Sequence, residues 1–173
     1  MASLEFVNYL TKSEVMRRID ELLAEYGESH QNETNKGIHW ICVPLIFFSI
    51  VGLVASIPAG LLERTSPGNP YANWATVMMA IVLVYYVTLS IPLGIGMAFF
   101  GAFCVVATNL IARSGIAPLW LVSVVIFVLA WIGQFYGHKI EGKKPSFLKD
   151  IQFLLIGPAW LLHFVYKRMG IPY

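Results

Sequence analysis

Three long stretches of this chain contain no Lys, Arg, Asp, Glu or His, and they constrain its fold more than any other feature. They are Trp40–Leu62, Tyr71–Ala112 and Ser114–Gly137. A helix of about 20 apolar residues crosses the hydrocarbon core of a bilayer. The first and third stretches can therefore each form one span, and the second, with 42 residues, can form two. The sequence predicts an all-α integral membrane bundle of about four transmembrane helices.

The expected spans cover residues 39–62, 71–92, 94–112 and 115–137. The second and third spans are separated near Pro92, because proline and glycine interrupt helices and residues 90–96 contain both. Polar segments flank the spans, and the whole chain, residues 1–173, is expected to form a single membrane domain.

Both ends of the chain are predicted to lie against the bundle. In the polar N-terminal segment, residues 1–38, apolar residues at helical spacing predict an amphipathic helix from about Lys12 to Ser29. Residues 139–173 comprise a polar loop and a terminal hydrophobic segment, which is short and contains Gly157 and Pro158. This pattern favours an interfacial or re-entrant helical hairpin, with a fifth span through Tyr166 as the alternative.

Composition and charge exclude several classes of protein. Charged residues make up 13 % of the chain, against about 25 % in a typical soluble domain. The net charge of +2 is too small to indicate a nucleic-acid partner. Ten of the 12 Lys and Arg residues lie in the N-terminal segment, the loop after the last span and the C-terminal tail. The positive-inside rule places these segments in the cytosol. A bacterial inner membrane and an endoplasmic-reticulum membrane both fit this pattern.

All four histidines are predicted to lie near this cytosolic membrane face. They are His30, His39, His138 and His163. Imidazole is a common ligand of iron, zinc and copper, so three or four converging rings would form a metal site. The alternative interpretation is that they are interfacial histidines, hydrogen-bonded to lipid headgroups or water.

Polar neighbours of the histidines are candidates for supporting roles. Asn35 and Gln134 each precede a histidine by four residues, and Glu141 follows His138 by three. Such groups can accept the second ring N–H of a ligating histidine and so orient the ring. Two other roles remain for Glu141: it could be a metal ligand, or a loop carboxylate exposed to solvent. The basic pair Lys143 and Lys144 could attract an acidic substrate, or simply anchor the loop to anionic lipid.

Two sequence blocks resemble the motifs of the Mpo1-like family. The first is His30-x4-Asn35-x3-His39 followed by Pro44, and the second runs from Trp131 to His138 and on to Glu141 and Pro145. The second block is similar to the family pattern W-x2-Q-x2-G-H…E…P. The resemblance covers the chain from about Tyr26 to its C-terminus.

The resemblance implies a membrane Fe(II)-dependent dioxygenase of long-chain 2-hydroxy fatty acids. Such an enzyme uses O2 for α-oxidation, in which the acid loses one carbon as CO2 during sphingoid base and fatty acid catabolism. By motif position, the resemblance implies that His30, His39 and His138 hold the iron and are catalytic. His163 is then either a fourth ligand or a neighbour of the site. The acyl tail of the substrate is expected to remain in the bilayer.

Two other classes of function stay open at this point. Three histidines and a metal-bound water would also serve a zinc-dependent membrane lipid hydrolase. The second class is a small non-catalytic membrane protein or a transporter. Against a transporter, the three apolar stretches contain no ionisable Asp, Glu, Lys, Arg or His of the kind that usually lines a transport pathway.

Overall fold

The computed structural model describes residues 17–144 and 152–173, and within these residues the chain forms seven helices and no strand. The helices are α1 (Arg18–Glu28), α2 (Glu33–Ala55), α3 (Gly60–Thr65), α4 (Trp74–Leu89), α5 (Ile91–Ser114), α6 (Leu119–Glu141) and α7 (Phe153–Met169). The predicted all-α class is confirmed.

Three of these helices, α2, α5 and α6, are long and apolar enough to cross a membrane. The second predicted span, residues 71–92, contains the shorter apolar helix α4 of 16 residues. At 1.5 Å per residue this helix is about 24 Å long, less than the roughly 30 Å of a bilayer core. The described part of the chain therefore has three helices of full spanning length and one shorter apolar helix.

Helices α4 and α5 form an antiparallel pair that turns at Ser90. The Ser90 backbone is extended, and its hydroxyl accepts a hydrogen bond from the Leu93 N–H at 3.4 Å. Pro92 follows in the first turn of α5, where a backbone N–H has no partner within the helix and its loss costs little. The two helices approach closely at Gly94 of α5, where a side chain would collide with Val87 of α4.

The most extensive helix pair is α2 against α6, which run antiparallel. Small residues let the two backbones approach closely, as is common between membrane helices. A Cβ atom at Gly137, Gly133 or Gly52 would collide with Asn35, Cys42 or Ser123 of the facing helix, respectively. This packing brings the N-terminal end of α2 and the C-terminal end of α6 to the same end of the bundle.

Helix α1 covers this end of the bundle together with α7. Its apolar face, which includes Ile19, Leu22 and Tyr26, packs against Phe153 and Trp160 of α7. The amphipathic helix predicted from about Lys12 to Ser29 thus appears as an 11-residue helix. The predicted start of that helix lies outside the described residues.

The C-terminal segment differs from the predicted hairpin. Residues 153–169 form one continuous helix, and Gly157-Pro158 do not turn the chain. Pro158 has no backbone N–H, so α7 lacks the one helical hydrogen bond that this position would donate, and the helix nevertheless continues through it. Gly157 instead allows close packing, because a Cβ there would lie 3.0 Å from the Tyr26 hydroxyl and 3.2 Å from Val43.

Candidate metal centre

Three histidines from separate parts of the chain meet where α1, α2 and α6 come together. His30 lies in the loop after α1, His39 in the second turn of α2, and His138 in the last turn of α6. Their ring centroids are 4.2 Å (His30–His39), 4.9 Å (His39–His138) and 5.0 Å (His30–His138) apart. The rings are 1 %, 1 % and 5 % exposed, so the group is shielded from solvent.

Each ring in this group presents a nitrogen that has no hydrogen-bond partner among the described residues. Nδ1 of His30 lies 2.6 Å from the Tyr26 carbonyl, and Nδ1 of His39 lies 2.9 Å from the Asn35 carbonyl. A carbonyl only accepts, so both Nδ1 atoms carry the proton and both Nε2 atoms keep a lone pair. The unpartnered atoms are Nε2 of His30, Nε2 of His39 and Nδ1 of His138.

The electrostatic state of the group suits metal coordination. Burial lowers the pKa of His30 to about 4, so this imidazole is neutral at pH 7 and can act as a ligand. Ligand atoms from the three rings lie within 4.8 Å of one another. A buried polar atom without a partner costs roughly 1–3 kcal/mol. Three such atoms facing one another therefore fit a bound metal ion, which would satisfy all of them.

Glu141 ties the elements that carry the histidines together. Its carboxylate accepts hydrogen bonds from the backbone N–H groups of Gln31 and Asn32, both at 2.8 Å, and from Nδ2 of Asn35 at 3.1 Å. The end of α6 is thereby joined to the loop after His30 and to the start of α2. With these donors on both of its oxygens, Glu141 positions the neighbouring segments, and it lies outside the histidine group.

The predicted amide neighbours of the histidines are both buried. The Asn35 backbone carbonyl, rather than its side chain, accepts from His39, and the Asn35 amide donates to Glu141 and to the Ser29 carbonyl. Gln134 lies one turn before His138 and lines an apolar cavity beside it.

The two lysines after α6 lie at the surface. Lys143 donates a hydrogen bond from Nζ to the Glu28 carbonyl at 2.6 Å, which joins the end of α6 to the end of α1. Lys144 is exposed and directly precedes the segment outside the described residues.

His163 lies apart from the other three histidines. It belongs to α7, is half-buried, and its Nδ1 contacts the Tyr173 hydroxyl. Burial and the nearby charge of Lys167 lower its pKa. Within the described residues, the only His, Cys, Asp and Glu side chains that group closely enough for one metal ion are His30, His39 and His138.

The site also contains Tyr26, which was not among the candidate residues predicted from the sequence. The Tyr26 ring stacks on His30 at a centroid distance of 4.3 Å, and its carbonyl holds Nδ1 of the same histidine. A signal was present in the sequence, because Tyr26 precedes His30 by four residues, as Asn35 precedes His39. In a helix this spacing places a carbonyl beneath the following ring.

The family model described as 2-hydroxy-palmitic acid dioxygenase Mpo1-like matches residues 16–169. The chain belongs to this family. The match includes all four histidines and every helix described above. No curated protein and no solved structure matches this Mpo1-like chain. The family description suggests a dioxygenase-like function and a 2-hydroxy fatty acid as substrate, and the buried histidine group could bind a metal.

Proposed function

We propose that this Mpo1-like chain is an Fe(II)-dependent dioxygenase that carries out α-oxidation of long-chain 2-hydroxy fatty acids. The observation that carries the proposal is a group of three imidazole nitrogens that have no hydrogen-bond partner among the described residues and lie buried beside an apolar cavity, in a chain of this family. The expected physiological role is the breakdown of fatty acids derived from sphingoid bases.

The reaction balances with O2 as the only oxidant. The bond between C1 and C2 of the acid breaks, C1 leaves as CO2, and C2 becomes the carboxyl carbon of an acid one carbon shorter. O2 accepts four electrons, and its oxygen atoms are distributed over the products, which include one water. When bound, iron would supply the activation of O2 for this oxidation.

The residues of the chain have distinct tasks in this proposal. His30, His39 and His138 would hold the metal through the three unpartnered nitrogens and leave coordination positions open for substrate and O2. The carbonyls of Tyr26 and Asn35 hold two of the rings in the required tautomer. Burial of the group excludes bulk water and so limits side reactions.

The membrane placement of the site is part of the proposal. Two of the three proposed ligands lie in α2 and α6, near the ends that the positive-inside rule assigns to the cytosol. A lipid substrate could then present its head to the metal from within the bilayer. The host membrane would be the endoplasmic reticulum in a eukaryote and the inner membrane in a bacterium.

Product analysis after anaerobic metal loading tests this proposal. The protein is purified in mild detergent, loaded with Fe(II) without O2, and mixed with 2-hydroxypalmitic acid and O2. We expect uptake of O2, release of CO2 and an acid shortened by one carbon. If the protein retains stoichiometric zinc, binds no iron and takes up no O2, the dioxygenase proposal is wrong and the zinc-dependent hydrolase takes its place.

A further inference from the structure

An apolar cavity lies beside His138, between α2, α4, α6 and α7. On α2 it is lined by Val43, Ile46 and Ile50, which continue the helix face that carries His39. On α6 it is lined by His138, Gln134 and Trp131, which also share one face. Because α2 and α6 are antiparallel, both rows of side chains lead away from the histidines in the same direction.

The cavity extends well into the apolar part of the bundle. Its lining on α2 runs from Val43 to Val51, a rise of about 12 Å along the helix axis. Its inner end is formed by Val51 together with Met78 and Val82 of α4. Since α2 is a helix of spanning length, this direction is parallel to the acyl chains of the surrounding lipid.

Apart from the indole of Trp131, the polar side chains that line the cavity lie at one end. Tyr26, Gln134 and His138 lie at the end next to the histidine group, and no charged side chain of the described residues lines the cavity. The inner end is entirely apolar. A binding site with a polar end and a long apolar wall is complementary to a molecule with a polar head and a hydrocarbon tail.

We propose that this cavity binds the hydrocarbon tail of the 2-hydroxy acid, and that Met78 and Val82 limit the chain length that the site accepts. The inference rests on the proposed function and differs from the expectation that the tail stays in the bilayer. The open space is about 100 Å³, less than an engineered cavity of about 150 Å³ that binds benzene. A long tail therefore has to displace side chains at the inner end, and the flexible Met78 is suited to this.

A chain-length profile tests the proposal with a matched pair of variants. Val82→Phe fills the inner end, whereas Val84→Phe makes the same change at a position of α4 that is 66 % exposed and faces away from the cavity. One methylene in an apolar pocket changes kcat/KM by about tenfold or more. We expect Val82→Phe to lower kcat/KM at least tenfold for the longest acids and to leave short acids unaffected. Met78→Ala should extend the profile to longer acids, and Val84→Phe should leave it unchanged.

Photolabelling of the metal-free protein gives a readout that does not depend on activity. A 2-hydroxy acid with a diazirine at its tail end should label Met78 or Val82, and Val82→Phe should reduce this labelling. Labelling confined to lipid-facing residues such as Val84, or identical profiles for the two Phe variants, would overturn the tail-binding cavity. If no 2-hydroxy acid reacts with any variant but the labelling follows the expected pattern, the proposed reaction fails and the cavity assignment stands.

Discussion

Two regions of this molecule contain buried or half-buried histidines, and they differ in how the ring nitrogens are satisfied. In the first, His30, His39 and His138 each have a nitrogen without a partner among the described residues. In the second, His163 contacts the Tyr173 hydroxyl, and the Tyr173 carbonyl accepts a hydrogen bond from Arg17, which pairs with Asp20. The first region leaves one nitrogen on each ring for an added group to bind, whereas in the second region Nδ1 of His163 has a partner within the chain.

This difference separates a candidate ligand from a structural histidine more sharply than position at a membrane face does. Buried polar atoms are nearly always satisfied in folded proteins, so three neighbouring nitrogens without a partner in the described part of the chain require an explanation. In the second region Tyr173 contacts both His163 and Arg17, and the Arg17–Asp20 salt bridge lies at the surface, where it contributes about 1 kcal/mol at most.

The largest effect that we predict is on metal binding by two alanine variants. His39→Ala removes one of three proposed ligands, so iron or zinc affinity should fall by more than about a hundredfold, since loss of an outer hydrogen-bond partner alone costs 10–100-fold. His163→Ala should bind metal like the wild type. Metal content is measured by mass spectrometry after loading, with circular dichroism to verify that each variant is folded. Equal loss in both variants would break the distinction between the two regions and return His163 to the ligand set.

An intermediate effect is expected for Glu141→Gln. The substitution removes the negative charge and replaces one carboxylate oxygen by an amide N–H₂ group. The N–H groups of Gln31, Asn32 and Asn35 donate to the two carboxylate oxygens, so at least one of them loses its acceptor. The histidine-bearing segments then lose their joint anchor, so metal affinity should fall by about 10–100-fold. Isothermal titration with Zn²⁺ as the probe measures the change.

The matched control for this variant is Glu33→Gln. The Glu33 side chain is 87 % exposed and pairs with Lys36 on the same helix turn. The Glu33→Gln substitution should leave metal affinity unchanged. A similar loss in both variants would mean that overall charge near α2, rather than the contacts of Glu141, controls the site.

Much of the fold could be predicted from apolar runs, but the helix ends could not. The predicted span 39–62 overlaps α2 only as far as Ala55, where α2 ends. At its other end α2 begins at Glu33, because Asn32 caps the helix by accepting from the N–H groups of Thr34 and Asn35. Similarly, α6 continues past the run at 115–137 as far as Glu141. Hydropathy marks the part of a helix that lies in lipid, whereas capping decides where it begins. The polar turns at these ends carry His39 and His138.

The candidate site could be predicted only in part for a related reason. The charge distribution predicts that all four histidines lie near one membrane face, but a face fixes depth and not lateral position. Lateral position comes from helix packing, which brings α2 and α6 together through glycines and leaves His163 on α7, beside Tyr173. The cavity likewise depends on how four helices pack, and no local sequence pattern encodes that.

The smallest effect that we predict tests this packing through two glycines. Gly137→Ala places a Cβ against Oδ1 of Asn35, which is fully buried and held through its amide by Glu141, so the Asn35 side chain has little room to move. Overpacking of this kind costs about 1–3 kcal/mol. Gly37 lies on α2, two residues after Asn35, and a Cβ there meets no atom of the described residues within 4 Å. Gly37→Ala should therefore raise stability by about 0.5–1 kcal/mol through helix propensity. Thermal unfolding in detergent compares the two variants.

The same two variants also test whether the α2–α6 contact positions the histidines. Because Asn35 also holds His39, Gly137→Ala should weaken Zn²⁺ binding and Gly37→Ala should not. A change in stability without a change in Zn²⁺ binding would show that the α2–α6 contact does not position the histidines.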